Sequence, residues 1–218
     1  MSAIQAIQVI SISTALFASG GIASLSAFDI PLMRSQPASR SLPMLRWLFS
    51  RGSHTAPTAI IISSTGFLYL AYAALPGSAH TASALLTHLT RGGKPSAFLG
   101  ASVLSFSCAL FTGLAMLPTN FDLISRNEQL GGSHSADSAA YRRSVDAEPR
   151  TAEESVNAKD DISQWSDVSD PQEKTARGSS KEQDKEVKAL LTRFQKLNYV
   201  RAALIGAGGI VGLIGALA

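Results

Sequence analysis

Seven polar residues stand at or beside the ends of long apolar runs: Asp29, Arg51, His54, Thr119, Asn120, Asn198 and Arg201. Together they offer a carboxylate, an imidazole, two amides, a hydroxyl and two guanidinium groups, a set suited to metal-free, cofactor-free chemistry or to no chemistry at all. Asn198 and Arg201 are three apart, hence on one face of any helix that holds them. An arginine at or inside a hydrocarbon boundary is costly unless it is paired or reaches water, and Asp29, Asn120 and the carbonyls closing the third apolar run are its candidate partners. Taken singly, each residue reads equally well as a snorkelling arginine or an ordinary cap. His80, His88 and His134 show no metal-ligand spacing. There is no phosphate loop, dinucleotide fingerprint, nucleophile elbow or haem-attachment motif. The single cysteine, Cys108, lies in mid-run, which removes disulfide frameworks and CxxC redox pairs and leaves it a lipid-facing or packing residue.

The elements that must position these residues are set by charge distribution. Met1 to Phe28, Ala56 to Pro76, Ser96 to Pro118 and Ala202 to Ala218 hold no charged side chain. An apolar run of roughly 17 to 25 helical residues crosses a hydrocarbon core, so the sequence predicts an all-α fold, a four-transmembrane-helix bundle. A soluble reading fails because so short a chain has too little amphipathic helix to wrap four apolar ones. The first run has no basic residue before Arg34 and is long for a signal peptide, so it is expected to be a retained helix. The expected division is residues 1–121 for transmembrane helices 1 to 3 with their loops, 122–179 for a hydrophilic insert, and 180–218 for an amphipathic helix leading into transmembrane helix 4.

Four spans place all seven polar residues near one face of the bundle, whichever way it is oriented. The loop 29–55 carries Arg34, Arg40, Arg46 and Arg51, and the loop 119–198 has Arg126, Arg193 and Lys196 near its membrane ends, against Arg91 and Lys94 opposite. The positive-inside rule makes those two loops cytosolic. Residues 122–196 hold fifteen acids and twelve bases, and no aromatic and basic interleaving suggests nucleic acid. Gly131 to Gly178 is rich in Ser, Asp, Glu, Ala and Arg with almost no aliphatic clustering, so it is expected to be a long disordered loop between helices 3 and 4. Order is expected to resume at Ser180, which with Gln183 fits a capping box, followed by Val187, Leu190, Leu191, Phe194 and Leu197 at helical spacing. That helix lies at the interface or extends the fourth span. Ala15, Ser19, Ala23 and Ala27, and Gly208, Gly212 and Ala216, form small-xxx-small faces for close packing within a bundle or between copies.

Four stretches, SGGIASLSAFDIPLM, FSRGSHTAPTAI, MLPTNFDLI and LTRFQKLNYVRAAL, together resemble the DUF1772 membrane family, whose fungal members include the anthrone oxygenases of polyketide pathways. Pro118-Thr119-Asn120 and Leu197-Asn198-x-x-Arg201 are the most specific pieces; Phe194 stands where the family commonly has tryptophan, and the insert is longer than usual. The resemblance implies oxidation of an anthrone-type polycyclic phenol to a quinone by molecular oxygen, without flavin, haem or metal, as part of secondary metabolism. It also implies roles: Arg201 stabilises the oxyanion, Asn120 and Asn198 bind the phenolic and carbonyl oxygens, Thr119 orients Asn120, Arg51 is a second cation, and Asp29 or His54 is the base. A planar aromatic substrate would reach such a site through membrane lipid, in the endoplasmic reticulum or a related intracellular membrane.

A second reading is a non-catalytic membrane scaffold that assembles partners through its cytosolic insert, the polar cluster merely locking the bundle. A transporter is disfavoured, since no intramembrane acid or broken helix pair marks a midplane site.

Overall fold

The computed structural model describes residues 1–76, 81–89 and 91–218. His80 lies outside the described residues, as does the side chain of His88. Among the described residues regular structure is entirely helical: α1 (Ala3–Ser24), α2 (Ile30–Arg34), α3 (Ala38–Ala73), α4 (Ala82–Leu89), α5 (Lys94–Phe111), α6 (Leu117–Gln129), α7 (Ala136–Ser144), α8 (Ala152–Val156) and α9 (Lys181–Leu217). Five-residue π turns, Leu25–Asp29 and Thr112–Met116, join α1 to α2 and α5 to α6 without ending the helix.

Four stretches, Ala3–Arg34, Ala38–Ala73, Lys94–Gln129 and Lys181–Leu217, are long and apolar enough to cross a membrane, and the chain is an integral membrane protein. At 1.5 Å per residue each is roughly 50 Å long, about 20 Å more than a hydrocarbon core. The excess falls where loops were expected. Most of 29–55 is the first half of α3, because Leu42 and Leu45 recur at helical spacing and bury completely. Pro118-Thr119-Asn120 does not end the third helix either. Pro31 and Pro118 each follow a π turn by two residues, and the wider turn accommodates the hydrogen bond that a proline cannot donate.

The chain divides into two compact units. The first comprises Met1–Ser24, Ala56–Leu114 and Asn198–Ala218. Its core joins Ala15, Ile60, Phe67, Phe98, Cys108 and Ile205. The Ser19 hydroxyl donates to the Ala202 carbonyl at 2.8 Å, and the Ser102 hydroxyl to the Ser64 carbonyl at 2.8 Å, tying helix to helix where no water competes. The small-residue face of α9 is used inside this unit. A Cβ at Gly208 would lie 3.0 Å from the Ala101 carbonyl oxygen, and one at Gly212 would lie 2.3 Å from the Phe67 ring.

The second unit comprises Leu25–Thr55 and Ala115–Leu197, so the two segments read as loops on one side of the membrane fold together. Its apolar core is built by Ile30, Leu42, Leu45, Leu123, Leu191 and Phe194. Ser180 caps α9: its hydroxyl accepts from the Gln183 N–H at 3.2 Å while Gln183 Oε1 accepts from the Ser180 N–H at 2.8 Å. The helix then continues unbroken to Leu217, extending the span rather than lying flat. Asp184, in its first turn, accepts from the Ala38 N–H at 2.7 Å and so caps α3 as well.

The expectation of disorder between Gly131 and Gly178 is corrected here. The segment supplies no residue to that apolar core, yet it carries α7 and α8 and buries Ser133, His134, Ser135, Arg142, Gln164 and Asp167. Composition measured the missing apolar surface correctly. What it cannot count is a satisfied polar network, which orders a chain through hydrogen bonds and ion pairs. The two units follow the helices: α3 and α9 each contribute to both, and α6 lies in the second with the insert.

Candidate functional site

In the first unit, α9 turns Asn198 and Arg201 to one side, and Arg201 Nη1 donates to Asn198 Oδ1 at 2.8 Å. Asn198 is fully buried and its Nδ2 has no acceptor among the described residues. The Arg201 side chain also hydrogen-bonds to Cys108, a fully buried thiol on α5. Cys108 is therefore a packing residue that also contacts the cation, a link the sequence signals only by a sulfur in mid-span. A half-buried guanidinium beside a buried amide whose N–H donors are unspent is equipped to receive an oxygen that carries, or develops, negative charge.

The second unit holds the other five. Thr119 is fully buried on α6 and Asn120 is half-buried; among the described residues neither the Thr119 Oγ1 nor the Asn120 Oδ1 has a hydrogen-bond partner. Asp29 is exposed at the end of its π turn. Arg51 and His54 are helical residues of α3, not loop residues, and the insert engages both. Arg51 donates to the Asp167 carbonyl and, at 3.1 Å, to the Ser169 carbonyl, with its guanidinium 5.1 Å from the Trp47 ring centre. The His54 ring lies 3.8 Å from that of Trp165, centre to centre. The structure thus brings together Asn198 with Arg201 in one unit, and Arg51 and His54 with the insert in the other.

The insert's polar network was invisible in the sequence. Glu128, 1 % exposed, pairs with Arg150 at 2.8 Å and with Arg142 at 3.4 Å. Arg150 also reaches Asp161 at 3.0 Å. His134 stands between two carboxylates, its Nε2 3.0 Å from Asp167 and its Nδ1 3.4 Å from Asp161. Burial pushes the Asp167 carboxyl up, but hydrogen bonds from Ser135 and Ser169, with the His134 ring, outweigh it and hold it at about 2. Burial likewise raises Asp161, and contacts from His134, Ser138, the Ile162 N–H and Arg150 bring it below the usual carboxylate range. Arg46, 2 % exposed on α3, donates to the Ser155 carbonyl at 2.9 Å and to Gln164 Oε1 at 3.2 Å, pinning α8. Among the described residues no three His, Cys, Asp or Glu side chains are grouped as metal ligands.

No curated protein and no solved structure matches the chain. A family model does match: that of the anthrone oxygenases, over residues 45–211, which covers three-quarters of the sequence and six of the seven polar residues, leaving out Asp29. On that extent of agreement, together with four membrane-spanning helices and the Asn198–Arg201 pair, the chain belongs to the anthrone oxygenase family.

Proposed function

We propose that this membrane protein oxidises an anthrone-type polycyclic phenol to the corresponding quinone with molecular oxygen and without a bound cofactor. The reaction balances as anthrone plus oxygen giving anthraquinone plus water. The substrate's methylene carbon loses a proton, leaving an anion whose charge is shared with the ring oxygens. That anion passes one electron to oxygen, the two radicals combine at the same carbon as a peroxide, and loss of water leaves the new carbonyl. The protein needs to stabilise the anion, accept the proton and keep bulk water out.

The observation that carries this reading is the Asn198–Arg201 pair, a half-buried cation beside a buried amide with an unspent donor, inside the family-matched stretch. Arg201 is the oxyanion-stabilising group, and Asn198 Nδ2 donates to a substrate oxygen. Asn120 binds a second oxygen, with Thr119 orienting it. His54 is the favoured base, because Asp29 is exposed and lies outside the matched stretch. Arg51 contributes positive charge while holding the insert. The substrate partitions into lipid before binding, which suits an intracellular membrane with 29–55 and 119–198 facing the cytosol. A place in fungal polyketide secondary metabolism completes the proposal.

The test is oxygen uptake by membranes containing the protein on addition of an anthrone, corrected for the spontaneous rate. Acceleration is expected, and the Asn120→Ala, Arg201→Ala double variant is expected to lose it. Removing one oxyanion-stabilising group costs on the order of 100- to 1,000-fold. Turnover undiminished in Arg201→Ala would overturn the role assigned to that residue, and no acceleration with a range of anthrones would overturn the function.

A further inference from the structure

Among the apolar side chains that residues 131–178 expose, which include Tyr141, Val145 and Val156 at 42 to 52 %, two stand out: Trp165, 80 % exposed, and Val168, 90 % exposed. We propose that they form a membrane-interface anchor, inserted at the boundary between lipid headgroups and acyl chains beside the point where α3 enters the bilayer.

The geometry behind the loop supports an anchor held in place from one side. Trp47 Nε1 donates to the Ser169 carbonyl at 2.8 Å. Arg51 donates to the carbonyls of both Asp167 and Ser169. The Asp167 carboxylate is occupied by His134, Ser135 and the backbone N–H of Ser169 at 2.9 Å. The backbone around Val168 is therefore fixed by two side chains of α3 and the polar network, while Trp165 and Val168 are left largely uncovered.

Their height relative to the bilayer follows from α3. The charge-free run on that helix begins at Ala56, and His54 precedes it by two residues, a rise of about 3 Å. The Trp165 ring lies against the His54 ring, so it sits at the level where the hydrocarbon layer starts. Tryptophan favours that level, its flat apolar ring meeting acyl chain while its N–H stays among headgroups. Val168, three residues on, has no polar atom in its side chain to offer water, and lipid is the apolar phase within reach. The function of the insert on this account is to hold its unit down onto the membrane.

The chain has two tryptophans, Trp47 and Trp165, so the emission of Trp165 is isolated by subtracting the spectrum of Trp165→Phe from that of the full-length protein, both in lipid nanodiscs. The expected result is a blue-shifted difference spectrum that loses most of its intensity when the lipid is phosphatidylcholine brominated near the headgroup end of its chains, and little to aqueous iodide. Quenching by iodide without quenching by brominated lipid would overturn the proposal, placing the loop in water. Insensitivity to both would also overturn it, placing the loop against protein. Because Trp165→Phe leaves the clamping residues in place, matching hydrogen-exchange protection of α7 in the two proteins verifies that the subtraction compares like with like.

Discussion

Glu128→Ala separates an ordered insert from an unstructured one. The carboxylate is 1 % exposed and is shared by Arg142 and Arg150, whose side chains are 9 % and 6 % exposed. Its removal leaves two buried guanidinium groups short of an anion, and breaking a buried pair from one side costs about 3 to 5 kcal/mol. The lower end applies, because Arg150 keeps Asp161 at 3.0 Å and the Lys159 carbonyl at 2.9 Å, while Arg142 keeps the Glu148 carbonyl at 2.9 Å. About 3 kcal/mol raises the population of the locally opened state roughly 150-fold, at 1.36 kcal/mol per factor of ten. The assay is amide hydrogen exchange on the protein in nanodiscs, read by mass spectrometry on peptides covering α7 and α8. Protection there is expected to fall by about two orders of magnitude, while peptides from the membrane-spanning first unit are unchanged. Random-coil exchange of α7 and α8 already in the parent protein, or protection unaltered by the substitution, would refute the argument that a polar network orders this segment.

Acid should loosen the same unit. Asp167 titrates at about 2 in the fold against an ordinary 3.8, so the unfolded segment takes up its proton first as pH falls. The resulting stabilisation, about 2 kcal/mol, is complete above pH 3.8, declines below it and is lost through pH 2; protease susceptibility of the insert measured from pH 6 downward is expected to rise only in that lower window. Gly212→Ala places a methyl group 2.3 Å from the buried Phe67 ring and should cost about 1 to 3 kcal/mol by overpacking, visible as a lowered melting temperature in detergent. Arg201→Lys keeps the charge but gives up the planar fork that spans Asn198 and Cys108; anthrone-dependent oxygen uptake should fall at least about tenfold, and full activity would show that charge alone suffices.

The four spans were legible because hydrocarbon leaves a plain mark, a run without charge. The Ser180–Gln183 cap and the buried stripe of Val187, Leu191 and Phe194 were legible too, since both depend on residues within one helix. Helix 38–55 was not, because four arginines in a short stretch outweighed the Leu42 and Leu45 spacing; Arg46 is in fact buried on that helix and bound to α8. The order of the insert was not, because partners such as Glu128 and Arg150, or His134 and Asp161, are brought together only by the fold. Removing Gly131 to Gly178 would therefore do more than shorten a linker: it would leave Arg46 and Glu128 buried without their partners. Asn198 and Arg201 announced themselves through spacing, whereas Cys108, on another helix, could not be joined to them without the structure.

The π turn at Thr112–Met116 has a consequence for mutagenesis. Such a turn accommodates one residue more than an α-helical turn over the same length, so it amounts to a one-residue insertion stored within a continuous helix. Deleting a single residue there need not break the helix: closing the bulge to ordinary α geometry removes the stored insertion and keeps the rotational phase of everything after it, whereas the same deletion in the α segment before it would shift that phase by about 100°. Thr119 would keep its buried position in the first case and lose it to a neighbour in the second. The short stretch thus acts as a buffer for chain length, and comparing a deletion within it with one in α5 would measure how strictly the orientation of α6 is required.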